Sequence, residues 1–338
     1  DLDVFVTNMG FKPLERPWPG EPSADCAYYH STATGTCFHA LIENRVNEAA
    51  DPDHAGAFVF VEGETMVVPN DILPPTSLNS DFLPTNDASI NGLEAYEFGF
   101  GTAFFDMDND ADEDLYWLGS LAARGEGPQG DIAPGFGRML QNAGDGTFRD
   151  VTVESHTVDA LAIDYSVLET SNHDFNASKQ RLGIEFHENG KGVAVGDLNG
   201  DGYVDLIGTN SNGETFMSDG ERAVVGGPLF VWMSAGGDNN WISFRLKGRM
   251  AIDGTGSNAD GIGAKVTITH ALRGETSTIQ VKEVLGSSSF LSMSSLDVHF
   301  GLGDADKIAV TIDWPSGLTT AYDDLNVNQI HEFTEPAN

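Results

Sequence analysis

The sequence predicts an all-β protein, in which part of a β-propeller is followed by a small β-sandwich-like domain. Three observations support this fold class: a glycine-rich globular composition, a recurring acidic strand–loop–strand unit, and a series of short alternating strands near the C-terminus. The chain has 338 residues, of which 40% are hydrophobic, 20% are charged and 39 are glycine. Such a composition favours a turn-rich β protein over a helical or disordered one.

Three segments resemble one another and define the repeat. They are residues 1–10, 101–120 and 192–211, and each contains an aspartate followed by a short apolar run that is typical of a strand. A second apolar piece follows each unit, and its middle copy contains Gly144-Asp145-Gly146, a strong hairpin-turn signal. Two hairpins per unit form a four-stranded blade, and such blades assemble as a propeller.

The pattern divides the chain into two predicted domains. Residues 1–237 are predicted to form propeller blades with long loop insertions, and residues 238–338 a separate all-β domain of alternating strands.

About three blade units can be counted, whereas closed propellers need about 4–8. The first unit also lacks the early positions of its acidic loop, since Asp1 and Asp3 correspond to positions 7 and 9. We therefore expect that further sequence precedes Asp1 or that another chain supplies the missing blades.

Two complete acidic loops carry oxygen-bearing groups at alternate positions and are predicted to bind one calcium ion each. Calcium prefers about six to eight oxygen ligands, and alternate residues of a tightly wound loop can direct them at one centre. At position 7 the backbone carbonyl is the expected ligand, so a tyrosine is acceptable there. The predicted metal residues at positions 1, 3, 5, 7 and 9 are Asp106, Asp108, Asp110, Asp112 and Asp114 in the first loop, and Asp197, Asn199, Asp201, Tyr203 and Asp205 in the second.

The two loops differ at position 6, where a glycine relieves a sharp turn. Gly202 occupies this position in the second loop and Ala111 in the first. If the backbone there needs a positive φ, the alanine is strained by about 1 kcal/mol. The second loop is therefore the better predicted site. A solvated acidic turn without metal is the alternative for either loop, and the recurrence of the same strand–loop–strand context argues against it.

Longer segments of the chain resemble known families. Residues 98–119 and 192–210 resemble FG-GAP/VCBS repeats, and residues 140–152 resemble the piece that follows this repeat in bacterial and cartilage-acidic-protein relatives. At the C-terminus, SNADGIGAKV, FGLGDA and WPSG resemble the ASPIC/UnbV module. The resemblance implies calcium-binding propeller blades and a secreted or cell-surface protein.

The two cysteines, Cys26 and Cys37, lie in a stretch rich in glycine, serine and threonine. We interpret them as a disulfide that closes a short loop, which implies an oxidising compartment. A zinc site that includes His30 and His39 remains an alternative.

The charge balance, with 52 acidic and 17 basic residues and a net charge of -35, argues against nucleic-acid or anionic-lipid partners. No apolar run reaches the length of about 18 residues needed to span a membrane. Motifs of hydrolases, metalloproteases and phosphate-binding loops do not occur in the sequence, so we do not expect an enzyme.

We expect an extracellular scaffold, adhesion or surface-assembly protein, whose partner is a protein, a glycan or another copy of the chain. The alternatives are a carbohydrate-binding module and an accessory protein of a biosynthetic or hydrolytic enzyme system.

Overall fold

The computed structural model describes fourteen ranges of the chain. They are residues 4–7, 39–46, 58–62, 66–68, 99–120, 122–124, 131–133, 137–145, 147–157, 190–211, 213–216, 222–227, 229–271 and 277–337. Cys26, Cys37, Asp1 and Asp3 lie outside these ranges. The disulfide, its zinc alternative and the interpretation of the N-terminus therefore stay predictions.

Within the described ranges the regular elements are strands, apart from one 3₁₀ turn at Arg249–Ala251. The predicted all-β class is thereby confirmed. The strands are β1 (Val4–Thr7), β2 (His39–Val46), β3 (Phe58–Glu62), β4 (Met66–Val68), β5 (Gly99–Phe105), β6 (Asp114–Gly119), β7 (Ala122–Arg124), β8 (Asp131–Ala133), β9 (Arg138–Asn142), β10 (Thr147–Asp150), β11 (Gly190–Gly196), β12 (Asp205–Asn210), β13 (Gly213–Phe216), β14 (Arg222–Val225), β15 (Leu229–Trp232), β16 (Asn240–Lys247), β17 (Lys265–His270), β18 (Thr278–Glu283), β19 (Val298–Gly303), β20 (Lys307–Asp313), β21 (Thr319–Asn326) and β22 (Ile330–Thr334).

These strands pair into several separate sheets of two to five strands, and no closed propeller is detected among the described residues. The orders are β1-β2-β3, β4-β10-β9-β6-β5, β7-β8, β11-β12-β15, β13-β14, β19-β16-β22 and β18-β17-β20-β21. Nowhere in the described ranges is there a helix long and apolar enough to cross a membrane.

The chain divides into two compact units. The first comprises Asp1–Thr102, Tyr116–Lys191 and Thr209–Leu229, and the second comprises Ala103–Leu115, Gly192–Gly208 and Phe230–Asn338. Both acidic loops thus belong to the second unit, together with the C-terminal strands β16–β22. The predicted domain boundary between residues 237 and 238 stays a prediction.

The predicted hairpin in the first unit is present. Strands β9 and β10 pair antiparallel, with Phe148 opposite Asn142. Gly144 in the turn has φ of 69°, a conformation that glycine adopts without strain, and its amide donates to Asn142 Oδ1 at 3.0 Å. A fully buried ion pair between Arg138 and Asp150, at 3.2 Å, joins the two strands. Because both charges are desolvated, loss of either partner would leave an uncompensated buried charge.

The C-terminal strands form a two-sheet sandwich with one shared core, as the sequence predicts. Sheet β19-β16-β22 and sheet β18-β17-β20-β21 direct alternate side chains into it, so β17 alternates exposed or half-buried residues with buried ones. Phe244 on β16 packs edge-to-face on Phe300 of β19, with ring centroids 5.9 Å apart, an orientation that aromatic pairs favour. Trp314, 3% exposed, closes the core after β20.

Glu335 ties the chain end to this sandwich. Its carboxylate is 1% exposed and accepts hydrogen bonds from the backbone amides of Arg249 at 2.9 Å and Ser257 at 2.7 Å, and from Ser257 Oγ at 3.1 Å. Burial alone would raise the pKa of Glu335, but these hydrogen bonds and one from Ser316 outweigh it, so the pKa lies below its usual value. The ionised form is therefore the one that stabilises the fold.

We expect the substitution Glu335→Gln to lower the free energy of unfolding by about 2 kcal/mol, because an amide nitrogen cannot accept the hydrogen bonds that the carboxylate accepts. Urea unfolding measures it, and Glu332→Gln is the control, since Glu332 is 72% exposed in its ion pair with Arg245.

The same substitution changes the pH dependence of stability. Because the pKa of Glu335 is lowered in the fold, its contribution is fully present above its ordinary value of 4.5 and is lost as the pH falls through the folded value. The difference between wild type and Glu335→Gln should therefore shrink below about pH 4.5. A difference that stays constant down to pH 3 would contradict this role.

Candidate metal centre

The two acidic loops share one backbone conformation. The first loop, residues 106–114, leads from β5 into β6, and the second loop, residues 197–205, leads from β11 into β12. Positive φ angles occur at positions 4 and 6 of both: 60° at Asn109 and 82° at Ala111, against 79° at Gly200 and 88° at Gly202. The loops have identical residues only at positions 1, 5 and 9. The conformation therefore recurs although most side chains differ.

The first aspartate of each loop organises the turn. In the first loop, Asp106 accepts hydrogen bonds from the backbone amides of Asp110 at 3.1 Å and Ala111 at 2.8 Å. In the second loop, Asp197 accepts from the amides at the same two positions, at 3.2 and 2.8 Å. Aspartate commonly caps nearby backbone amides in this way. The result is a tight coil in which alternate residues face the centre.

The last aspartate closes each loop. Asp114 accepts from the amide of Met107 at 2.7 Å, and Asp205 accepts from the amide of Leu198 at 2.8 Å. Both aspartates are 1% exposed, at the start of the strand that follows the loop. Position 9 thus lies directly beside position 1, although the two are far apart along the loop.

The first loop brings three carboxylates together. Oxygen atoms of Asp106, Asp108 and Asp114 lie within 4.8 Å of one another. Burial is the main cause that raises the pKa of Asp106 to about 7, and the negative charges of Asp110 and Glu113 raise it further. Desolvated carboxylates at such distances repel one another strongly unless a cation compensates their charge.

Asp110 and Asp112 lie in the same loop, outside this group of three. Burial, followed by the charges of Asp108 and Asp112, raises the pKa of Asp110 to about 6, although a hydrogen bond from the Asp112 amide opposes the rise. The pKa of Asp112 is also raised, by burial and then by Asp108. A divalent cation such as Ca²⁺, which prefers oxygen ligands, would stabilise the ionised form of these carboxylates.

The second loop presents its donors closer to solvent. Asn199 and Asp201 are exposed, and Asn199 Nδ2 donates to Asp201 Oδ2 at 2.8 Å. Asp201 Oδ1 accepts from the amide of Tyr203 at 2.8 Å. These bonds link positions 3, 5 and 7 of the second loop, but among the described residues only the first loop gathers three carboxylates within 4.8 Å.

The comparisons with known proteins bear on the second loop and on the C-terminal strands. Residues 189–216, which contain the second loop, match the model of the FG-GAP repeat, and residues 254–338 match the model of ASPIC and UnbV. The chain carries an FG-GAP repeat and an ASPIC and UnbV domain. The resemblance of residues 192–210 to an FG-GAP repeat and that of the C-terminal segments to the ASPIC/UnbV module are thereby confirmed, whereas the resemblance of residues 98–119 stays a prediction.

The chain is also similar to cartilage acidic protein 1 of Xenopus tropicalis. The two are 29% identical over 150 residues, which is 44% of this chain and 20% of that protein. The chain thus matches about a fifth of the length of this curated relative.

The FG-GAP loop contacts the segment that leads into the ASPIC and UnbV domain. Gly202 lies so close to Trp241 that a Cβ at this position would be 1.8 Å from the indole ring. The Tyr203 hydroxyl donates to the carbonyl of Asn239 at 3.0 Å. Asn239 Nδ2 in turn donates to the carbonyl of Asp108 in the first loop, also at 3.0 Å. Both loops are therefore anchored just before β16.

Asn109 joins the first loop to the ASPIC and UnbV domain and to the FG-GAP loop. It is 0% exposed. Its Nδ2 donates to the carbonyl of Gly202 at 2.9 Å, and its Oδ1 lies 2.8 Å from His299 Nε2. Its own carbonyl accepts from the amide of Gly303 at 2.7 Å. Because the side-chain amide both donates and accepts a hydrogen bond, its orientation is fixed.

His299 completes this contact as a neutral donor. Burial, assisted by the charge of Lys282, lowers the pKa of His299 to about 3, so the ring is uncharged at neutral pH. Since Asn109 offers an oxygen, His299 carries its proton on Nε2. Its Nδ1 then accepts from Ser243 Oγ, 2.9 Å away.

All ten predicted metal residues lie in the described ranges, and the structure brings the carboxylates of three of them, Asp106, Asp108 and Asp114, within 4.8 Å of one another. Their role as ligands stays a prediction, which the proposal below takes up. Sequence reasoning missed Asn109, Trp241 and His299. For Asn109 the sequence does carry a signal. It aligns with Gly200 at position 4 of the second loop, and asparagine is among the few residues besides glycine that tolerate a positive φ.

Ala111 provides a direct test of the loop backbone. Its φ of 82° matches the expected strain at position 6, which costs about 1–2 kcal/mol for a residue with a Cβ. We expect Ala111→Gly to stabilise the protein by up to about 1 kcal/mol, since glycine relieves the strain but costs about 0.4–1 kcal/mol of unfolded-state entropy.

Ala321→Gly is the matched control for this substitution, because Ala321 is an exposed residue of β21. It should destabilise the protein by about 0.5–1 kcal/mol. Urea unfolding in the presence of chelator measures both variants. Equal destabilisation by the two would show that position 111 does not have the left-handed conformation.

Proposed function

We propose that this chain is a calcium-binding, non-enzymatic protein that acts outside the cell as a scaffold, adhesion or surface-assembly component. The observation that carries the proposal is the recurrence of one loop conformation in two different sequences, with oxygen donors at the same alternate positions. A solvated acidic turn has no reason to keep aspartates at positions 1, 5 and 9 of both loops. The FG-GAP repeat around the second loop supports the same interpretation.

Each loop would hold one Ca²⁺. In the first loop the proposed ligands are side chains at positions 1, 3, 5 and 9 and the carbonyl at position 7, namely Asp106, Asp108, Asp110, Asp114 and Asp112. In the second loop they are Asp197, Asn199, Asp201 and Asp205 with the carbonyl of Tyr203. The cation would compensate the carboxylate charge and fix the loop, so its role is structural.

The charge of the chain supports a location outside the cell. A net charge of -35 is best tolerated in a medium rich in salt and divalent ions, which screen self-repulsion. Extracellular calcium modules work with Kd values of about 10⁻⁴–10⁻³ M. The similarity to a protein named for cartilage fits a matrix or cell-surface setting.

The proposed partner is a protein or glycan of that setting. Binding of the purified chain to glycan and matrix-protein arrays, with calcium and with chelator, tests this part. Absence of calcium-dependent binding to either array would remove the adhesion role.

We expect two calcium ions to bind per chain and to raise the melting temperature. At a free calcium concentration of 100 Kd, each site adds about 2.7 kcal/mol to stability. Calorimetric titration gives the stoichiometry, and thermal unfolding with calcium and with EGTA gives the shift. An unchanged melting temperature together with no heat of binding would contradict the proposal.

Two alanine substitutions separate side-chain ligands from backbone ligands. Asp201→Ala should abolish binding at the second loop, because position 5 supplies a carboxylate. Asp112→Ala should leave binding at the first loop largely intact, because position 7 supplies its backbone carbonyl. Equal loss of calcium affinity in both variants would show that the assignment of ligand positions is wrong.

A further inference from the structure

Asn109 occupies the position in the first loop that lies between two proposed ligands, Asp108 and Asp110. The loop spacing does not assign it as a ligand. Its side chain points away from the loop centre and donates to the carbonyl of Gly202, 2.9 Å away. The two residues are 93 positions apart in the sequence. A fully buried amide bonded in this way is held in one orientation.

The contacted peptide is part of the second site. The carbonyl of Gly202 and the amide of Tyr203 belong to the same planar peptide unit. Asn109 bonds the carbonyl, while the amide donates to Asp201 Oδ1 at 2.8 Å. A rotation of Asn109 would therefore turn the peptide that positions the ligand at position 5 and precedes the ligand carbonyl at position 7.

The C-terminal strands hold Asn109 from the opposite side. His299 Nε2 donates to Asn109 Oδ1 at 2.8 Å, and the amide of Gly303 donates to the Asn109 carbonyl at 2.7 Å. Gly301 lies against the same residue, since a Cβ at 301 would be 2.5 Å from the Asn109 Cα. With so little space, a change in the first loop is transmitted through Asn109 and is not absorbed by a side-chain rotation.

We propose that Asn109 is a positioning residue that couples the two loops, so that calcium bound at either loop raises the affinity of the other. The inference rests on the proposed function, because it requires that both loops bind calcium. Coupling of this kind is reciprocal, since each ion stabilises the peptide orientation that the other needs.

The test compares calcium binding by the full chain with binding by variants in which one loop is silenced. Asp110→Ala silences the first loop and Asp201→Ala the second, at the same loop position. In the wild type, the product of the two stepwise association constants should exceed the product of the two single-loop constants. We expect an excess of about five-fold or more, as is typical of coupled sites. Titration against a chelating indicator gives all four constants.

Asn109→Gly removes the side-chain contacts but keeps the backbone conformation, because glycine adopts the required φ freely. In this background the excess should fall to about one-fold, the value for independent sites. The matched control is Gly200→Asn, which places asparagine at the same position of the second loop. A Cβ there meets nothing within 4 Å, so the control should keep the excess of the wild type.

The outcomes separate this inference from the proposed function. A wild type that binds no calcium contradicts both. Two bound ions without any excess, or an excess that persists in Asn109→Gly, overturns the coupling and leaves calcium binding intact.

If Asn109→Gly does not fold, Asn109→Asp replaces it, because aspartate keeps the acceptor for His299 but cannot donate to Gly202. Loss of the excess in that variant supports the coupling, and its retention contradicts it.

Discussion

The hydrogen bonds between the first aspartate of each acidic loop and the loop backbone determine the geometry of the candidate site. Asp106 and Asp197 each accept from amides four and five residues ahead, at 2.8 to 3.2 Å. Winding the chain this tightly requires positive φ angles at positions 4 and 6. In the first loop it also brings the carboxylates of positions 1, 3 and 9 within 4.8 Å of one another. The ligand arrangement thus follows from how two carboxylates satisfy backbone amides.

Burial distinguishes the two loops. At position 1, Asp106 is buried whereas Asp197 is half-buried, and at position 5, Asp110 is half-buried whereas Asp201 is exposed. The first loop therefore carries the larger electrostatic cost, and burial raises the pKa of Asp106 to about 7. One cation of the protein already lies nearby, since Lys282 forms an ion pair with Glu113, but a single lysine does not balance five aspartates. A divalent ion would offset two more of these charges, which is the electrostatic basis of the calcium proposal.

Features set by local pattern could be predicted from the sequence, and features set by long-range contacts could not. The turn at Gly144 and the spacing of the acidic loops are local, and both occur as expected. The strain at Ala111 could be inferred by aligning it with Gly202. By contrast, β21 lies at the edge of its sheet and has only exposed and half-buried residues, so few apolar positions indicate a strand there. The bonds of Asn109 to residues 93 and 190 positions away leave no periodic trace in the sequence.

The most direct test of the account is a crystal structure grown in millimolar calcium, with anomalous diffraction data collected to locate the ions. The account predicts one peak in each loop, with oxygens of positions 1, 3, 5 and 9 and the carbonyl of position 7 at about 2.3–2.6 Å. The contacts of Asn109 with Gly202 and His299 should be retained in that structure. Two ordered loops without a peak in either would contradict the account.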